Sequence, residues 1–199
     1  MEFTKKMEKG GYDFSVFFYM RLLAVLMGKS ALLNDLDKES KDVNGDVLQK
    51  MDEKMVKKAW SSLTNILPKV LKIYAQKLFI TSDKEFISAS PIYVLSAYLQ
   101  NMNKNEFKDN KDVSNWMYYT LLAGVHQRYS GSGGDSKIDE DIAYTLKSKE
   151  QGRDPVDTLR NAIAGESGSL EVTKRKIRGS KAVISNGVFA TYVYMLKHT

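Results

Sequence analysis

The segment from Met55 to Phe79, MVKKAWSSLTNILPKVLKIYAQKLF, decides how this chain folds. Met55, Ala59, Leu63, Ile66, Leu67, Val70, Leu71, Tyr74 and Leu78 recur at spacings of three and four. At 3.6 residues per turn that spacing lays them along one face of an α-helix, and so apolar a face must be buried against something. Pro68 falls inside the pattern. It removes a backbone donor and crowds the carbonyl four residues back, so a kink or short break is expected there. Lys54, Lys57 and Lys58 fall on the polar side.

Outward from this helix, Phe14 to Leu33 and Trp116 to Val125 are apolar on nearly every side, the pattern of helices at the centre of a bundle. Ser90-Pro91 and Asp154-Pro155 read as helix starts, in which the first residue caps and the proline takes the first helical position, where no N–H is needed. Ser136-Lys137-Ile138-Asp139 reads as a capping pair that opens a helix running to about Lys149. Polar loops are expected at Asp35 to Asp46, Asn101 to Lys111, Ser130 to Asp135 and Gly165 to Ser169. Strand-like alternation is confined to a brief piece near Ala182 to Ile184, and there is no internal repeat. The expected fold is all-α, a single multi-helix bundle of about eight helices over residues 1–199.

Composition narrows the function classes. The chain is 43% apolar and 27% charged with three prolines, which suits a folded domain and not a disordered one. Cysteine is absent and histidine occurs only at His126 and His198, so no thiolate metal site and no disulfide can form; no metal or cofactor is expected. The most apolar stretch, Val16 to Met27, is interrupted by Arg21 and falls short of the roughly 20 residues that span a bilayer. No apolar run of a secretory signal follows Met1, so a cytoplasmic setting without membrane contact is expected. The apolar helical run Val188 to Leu196, close to the last residue, suggests a fragment of a larger protein whose neighbouring domains cover it, or a homo-oligomer.

Net charge is +6, and residues 166–199 contribute +4 of it through six Lys or Arg against two Glu. Within that stretch Lys174, Arg175, Lys176, Arg178 and Lys181 form a segment able to make several phosphate contacts with DNA if they share a face, and Lys54, Lys57 and Lys58 on the polar face of the long helix could join them. No aromatic residues interleave with it, so base stacking is not indicated, and a merely solvated surface is the competing reading.

The glycine-rich stretch Tyr129-Ser130-Gly131-Ser132-Gly133-Gly134-Asp135-Ser136-Lys137 invites comparison with phosphate-binding loops. The match fails, because Ser136 and not Gly precedes Lys137, and a helix rather than a strand leads in. The alternative is a flexible connection whose glycines permit positive φ. Asp139, Glu140 and Asp141 then sit in the first turn of the next helix, where carboxylates favour the helix dipole; Asp139 and Arg128 could pair across the loop. His126 could act as a general base only with a partner that the spacing does not supply, so a core or helix-end histidine is the plainer reading.

Gln127-Arg128-Tyr129-Ser130-Gly131-Ser132, followed by Ser136-Lys137-Ile138-Asp139-Glu140-Asp141, resembles the helical region of the GmrSD-type proteins, prokaryotic defence enzymes of the modification-dependent restriction class. The order of the other signals is similar too: Asp13 to Ser15 entering an apolar helix, Ser90-Pro91 opening another, and a helix led by Trp116 into the loop. In that family the chemistry belongs to an N-terminal ParB-like domain with an Asp-Gly-Gln-x-Arg signature, and some members add a C-terminal His-Asn-His nuclease. This sequence has no Asp-Gly dipeptide, and its two histidines cannot supply the latter.

The resemblance therefore implies a non-catalytic helical part of a larger, nucleotide-dependent nuclease. Arg128, Tyr129, Ser130, Lys137 and Asp139 match the family's loop pattern without an assigned role. Two other functions stay open: a protein-protein interaction or oligomerisation module, and a small-ligand enzyme in which His126, Arg128 and the glycine loop line a pocket.

Overall fold

A computed structural model describes residues 2–27, 52–86, 88–102, 110–130 and 134–167. Their order is α1 (Glu2–Lys9), α2 (Val16–Leu26), α3 (Glu53–Leu78), a 3-10 turn (Asp83–Glu85), α4 (Ser90–Gln100), α5 (Asn110–Val125), α6 (Gly134–Glu150) and α7 (Pro155–Ser167). Among the described residues there is no strand, and the all-α expectation holds.

Helix α3 matches its pattern closely. Ala59, Leu63, Ile66, Leu67, Val70, Leu71, Tyr74 and Leu78 are all buried, while Met55, one turn from the free end, is partly so. Asp52 caps the start by accepting a hydrogen bond from the Lys54 amide at 3.0 Å. Of the kink or short break expected at Pro68, the break does not occur: one helix runs through it. Pro68 lies on the exposed side, so its ring meets solvent while the apolar stripe opposite stays buried both before and after it.

Burial on all sides falls on α4 and α5. Every residue from Pro91 to Leu99 is buried, because α4 packs against α2, α3, α5 and α6 at once. In α5, Trp116 to Val125 is buried apart from Tyr118, which is partly covered. The Tyr74 hydroxyl lies 3.0 Å from Thr120 Oγ1, so the one polar tip in the middle of the α3–α5 contact is satisfied. Helix α2 is less enclosed than its sequence suggested. Val16 and Phe17 are 72% and 60% exposed, and the part of that stretch after Met27 lies outside the described residues.

The helix starts need small corrections. Asp154 caps α7 as expected, its Oδ1 accepting from the Val156 amide at 2.8 Å. Ser90 is already helical, Ala89 occupies the cap, and Ser88 Oγ accepts the Ser90 amide at 3.2 Å. Pro at the second position is tolerated because the first four amides have no intrahelical partner. Helix α6 begins at Gly134, two residues before the expected Ser136, and α7 continues to Ser167 through the loop expected at Gly165. Asp35 to Asp46, Ala182 to Ile184 and Val188 to Leu196 lie outside the described residues.

Candidate functional site

The loop motif that carries the resemblance starts where α5 ends. Arg128 N donates to Ala123 O at 3.0 Å and Gln127 N to Gly124 O at 3.1 Å, with Gln127 in the left-handed region at φ 52°. This pair of bonds is the Schellman closure of a helix, made here without the usual glycine. It reverses the chain so that Arg128 and Tyr129 point back toward the helices.

There they meet Asp141. Arg128 Nε donates to Asp141 Oδ2 at 2.7 Å and Nη2 to Oδ1 at 2.5 Å, a two-point grip matched to the carboxylate plane. Tyr129 OH donates to Oδ2 at 2.5 Å and Tyr119 OH to the same oxygen at 3.1 Å, and the two tyrosine hydroxyls also touch. The Arg128 side chain is 1% exposed and that of Asp141 0%. Glu140, 44% exposed, sits 4.0 Å from Nη2 at the rim and accepts a hydrogen bond from Tyr144 OH at 2.6 Å.

Burial is the first cause, and the adjacent Asp141 charge a further one, that pushes both Tyr119 and Tyr129 well above the ordinary phenol range. Both hydroxyls therefore stay protonated and donate. Gly134 completes the arrangement. A Cβ there would collide with the Tyr129 carbonyl oxygen, so only glycine lets α6 start this close to the turn.

Of the residues singled out in the sequence, Arg128 and Tyr129 come together in this cluster. Ser130 lies at its edge, exposed, its Oγ donating to Gln127 O at 2.7 Å. Lys137 is partly buried in the first turn of α6, and Asp139 is buried one turn on. The carboxylate that Arg128 grips at two points is Asp141, two residues beyond the Asp139 that the sequence suggested. Because α6 starts at Gly134, the acidic run Asp139 to Asp141 lies beyond the first turn, and Asp141 answers a guanidinium, not the helix dipole. Tyr119 was missed; its only signal is that it lies on α5 ten residues before Tyr129. The basic segment Lys174, Arg175, Lys176, Arg178 and Lys181 lies outside the described residues.

A cleft of about 270 Å³ opens between Tyr98, Asn115, Trp116, Lys149 and Asp154, and another of about 420 Å³ beside Phe14, Phe17, Arg21 and Tyr93. Neither is lined by His126 or Arg128. His126 is partly buried directly after α5, as a helix-end histidine. Among the described residues no group of three or more His, Cys, Asp or Glu could hold a metal ion, and no helix is long and apolar enough to cross a membrane.

Fold and cluster together define an all-α bundle with an internal charged strut. Comparison of the chain with protein-family models, with curated proteins and with solved structures returns no match.

Proposed function

We propose that this chain is a non-catalytic helical scaffold of a GmrSD-like prokaryotic defence protein, and that it contacts DNA while the bond-breaking groups reside in other domains. One observation carries this reading. Arg128 and Asp141 turn inward: the Asp141 carboxylate accepts from Arg128, Tyr119 and Tyr129 and has no exposed surface, so it serves to lock α5 to α6. A carboxylate saturated with donors and closed to solvent is suited to holding two helices in register and is poorly placed to meet a substrate. The basic residues Lys174, Arg175, Lys176, Arg178 and Lys181 supply charge for phosphate contact, which predicts binding that is salt-sensitive and tolerant of sequence.

The test is a titration of labelled duplex DNA at low and moderate salt, run beside assays for DNA cleavage and nucleotide hydrolysis by the same chain. Weak, salt-sensitive binding without turnover is expected. Failure to bind at low salt removes the DNA contact, and turnover abolished by a point change within the chain removes the scaffold reading.

A second reading has its own support. Val16 and Phe17, adjacent and well exposed at the start of α2, favour a module covered by a neighbouring domain or by another copy of the chain. Its measure is the mass of the chain in solution across concentration. A monomer at every concentration, unchanged by Phe17→Ser, would set aside self-association.

A further inference from the structure

Helix α3 presents its core stripe to α2, α4 and α5, and the opposite side forms a ridge of unusual composition. Lys54 and Lys72 are eighteen residues apart, which is about five full turns, so they project in the same direction. Lys58, Ser61, Asn65, Lys69 and Gln76 fall within about 60° of that direction. Lys54, Lys58 and Lys72 are exposed and Lys69 partly so. The only acidic residue of α3 is Glu53, and it is engaged by Lys57 at 2.6 Å. The ridge is thus a row of cations about 27 Å long, and α3 itself places no unengaged acidic side chain beside it.

We infer that this ridge is a phosphate-contact surface for double-stranded nucleic acid, with Lys54 and Lys58 on one rim of a groove and Lys69 and Lys72 on the other. The inference rests on the DNA-contacting reading above but places the contact on a different part of the chain. The lysine-free interval from Lys58 to Lys69 covers about 16 Å of helix, which flexible lysine stems can fit to a groove about 12 Å wide. Ser61, Asn65 and Pro68 in that interval are short and uncharged, so the side chains of α3 itself do not hold the helix away from the groove.

Other polyanions fit less well. A membrane-surface helix inserts large apolar side chains between its cations, and between Lys54 and Gln76 this ridge has only the small Pro68 and Ala75. Single strands are held by stacking on successive aromatic rings, whereas between Lys54 and Gln76 this face carries none, and Phe79 at the end of α3 is a single exposed ring. An acidic peptide needs a groove with pockets, whereas an exposed helix ridge is convex.

The test compares the whole chain with two multiple variants, Lys54→Gln/Lys58→Gln/Lys69→Gln/Lys72→Gln and Lys174→Gln/Arg175→Gln/Lys176→Gln. A fluorescent duplex is titrated between about 50 and 200 mM salt. Four phosphate contacts correspond to a loss of affinity on the order of a hundredfold over that interval in the parent chain. The α3 variant should bind more weakly at low salt and lose most of that salt dependence, with its helical circular dichroism and melting unchanged because the replaced side chains are outside the core. Unaltered affinity and salt slope in the α3 variant overturn the inference. If only the C-terminal variant loses binding, the α3 surface is wrong while the DNA reading stands. If the parent chain does not bind duplex at low salt, both fall. Tighter binding to vesicles containing phosphatidylserine than to duplex, lost in the α3 variant, also overturns it, in favour of a lipid surface.

Discussion

Arg128 meets Asp141 edge to edge, Nε 2.7 Å from Oδ2 and Nη2 2.5 Å from Oδ1, with both side chains closed to solvent. The pair joins the turn after α5 to the second turn of α6, and Tyr119 and Tyr129 supply the carboxylate's other hydrogen bonds. A buried ion pair of this kind is costly to desolvate, so its net contribution is small, but each partner depends on the other.

Removing one partner should therefore be far worse than removing both. Arg128→Ala leaves a buried carboxylate with only two phenols and should cost about 3–5 kcal/mol, whereas Arg128→Met combined with Asp141→Leu should recover much of that loss. Denaturant unfolding of the two single variants and the double variant gives the coupling. A loss below about 1 kcal/mol for Arg128→Ala would mean that the strut does not form.

The tyrosines of the cluster predict alkaline sensitivity. Their pKa values are raised well above 10.0 in the folded chain, first by burial and then by neighbouring charge. Above pH 10 the unfolded chain releases these protons and the folded chain keeps them, so the unfolded state binds fewer protons and stability falls as pH rises. The contribution is fully present below pH 10. Melting temperature followed from pH 8 upward should drop more steeply beyond about pH 10 in the parent than in Tyr119→Phe, which lacks one titrating group.

Gln127 holds a left-handed backbone at φ 52° and its side chain is exposed. A non-glycine residue pays roughly 1–2 kcal/mol for that conformation, while glycine gives back part of the gain through its more flexible unfolded state. Gln127→Gly should raise stability by up to about 1 kcal/mol, read as a higher denaturation midpoint with an unchanged slope. A lower midpoint would show that the Gln127 side chain contributes a contact of its own.

Ser96 is buried at the centre of α4, and its Oγ has no hydrogen-bond partner among the described residues. Ser96→Ala removes an unsatisfied hydroxyl and should be neutral or stabilising by about 1 kcal/mol. Leu95→Ala on the same helix opens a cavity and should cost about 2–5 kcal/mol. Thermal unfolding of the two variants side by side checks the contrast; a destabilised Ser96→Ala would point to a bound water at that hydroxyl.

What sequence alone determined here is whatever depends on neighbours in the chain. The apolar stripe of α3, the buried run Trp116 to Val125 and the Asp154 cap follow from spacing and local hydrogen bonding, and each is found where it was expected. Tertiary structure decided the rest. Pro68 reads as a kink or short break, yet the helix continues through it with its opposite face packed. The partner of Arg128 depended on where α6 starts. Because each residue turns a helix by about 100°, the choice between Asp139 and Asp141 rests on the path of the preceding turn and on the close approach of Gly134 to Tyr129, which no local pattern encodes. Tyr119 joins the cluster only because α5 and α6 pack together, a contact between residues far apart in the chain and therefore invisible to any reading of adjacent ones.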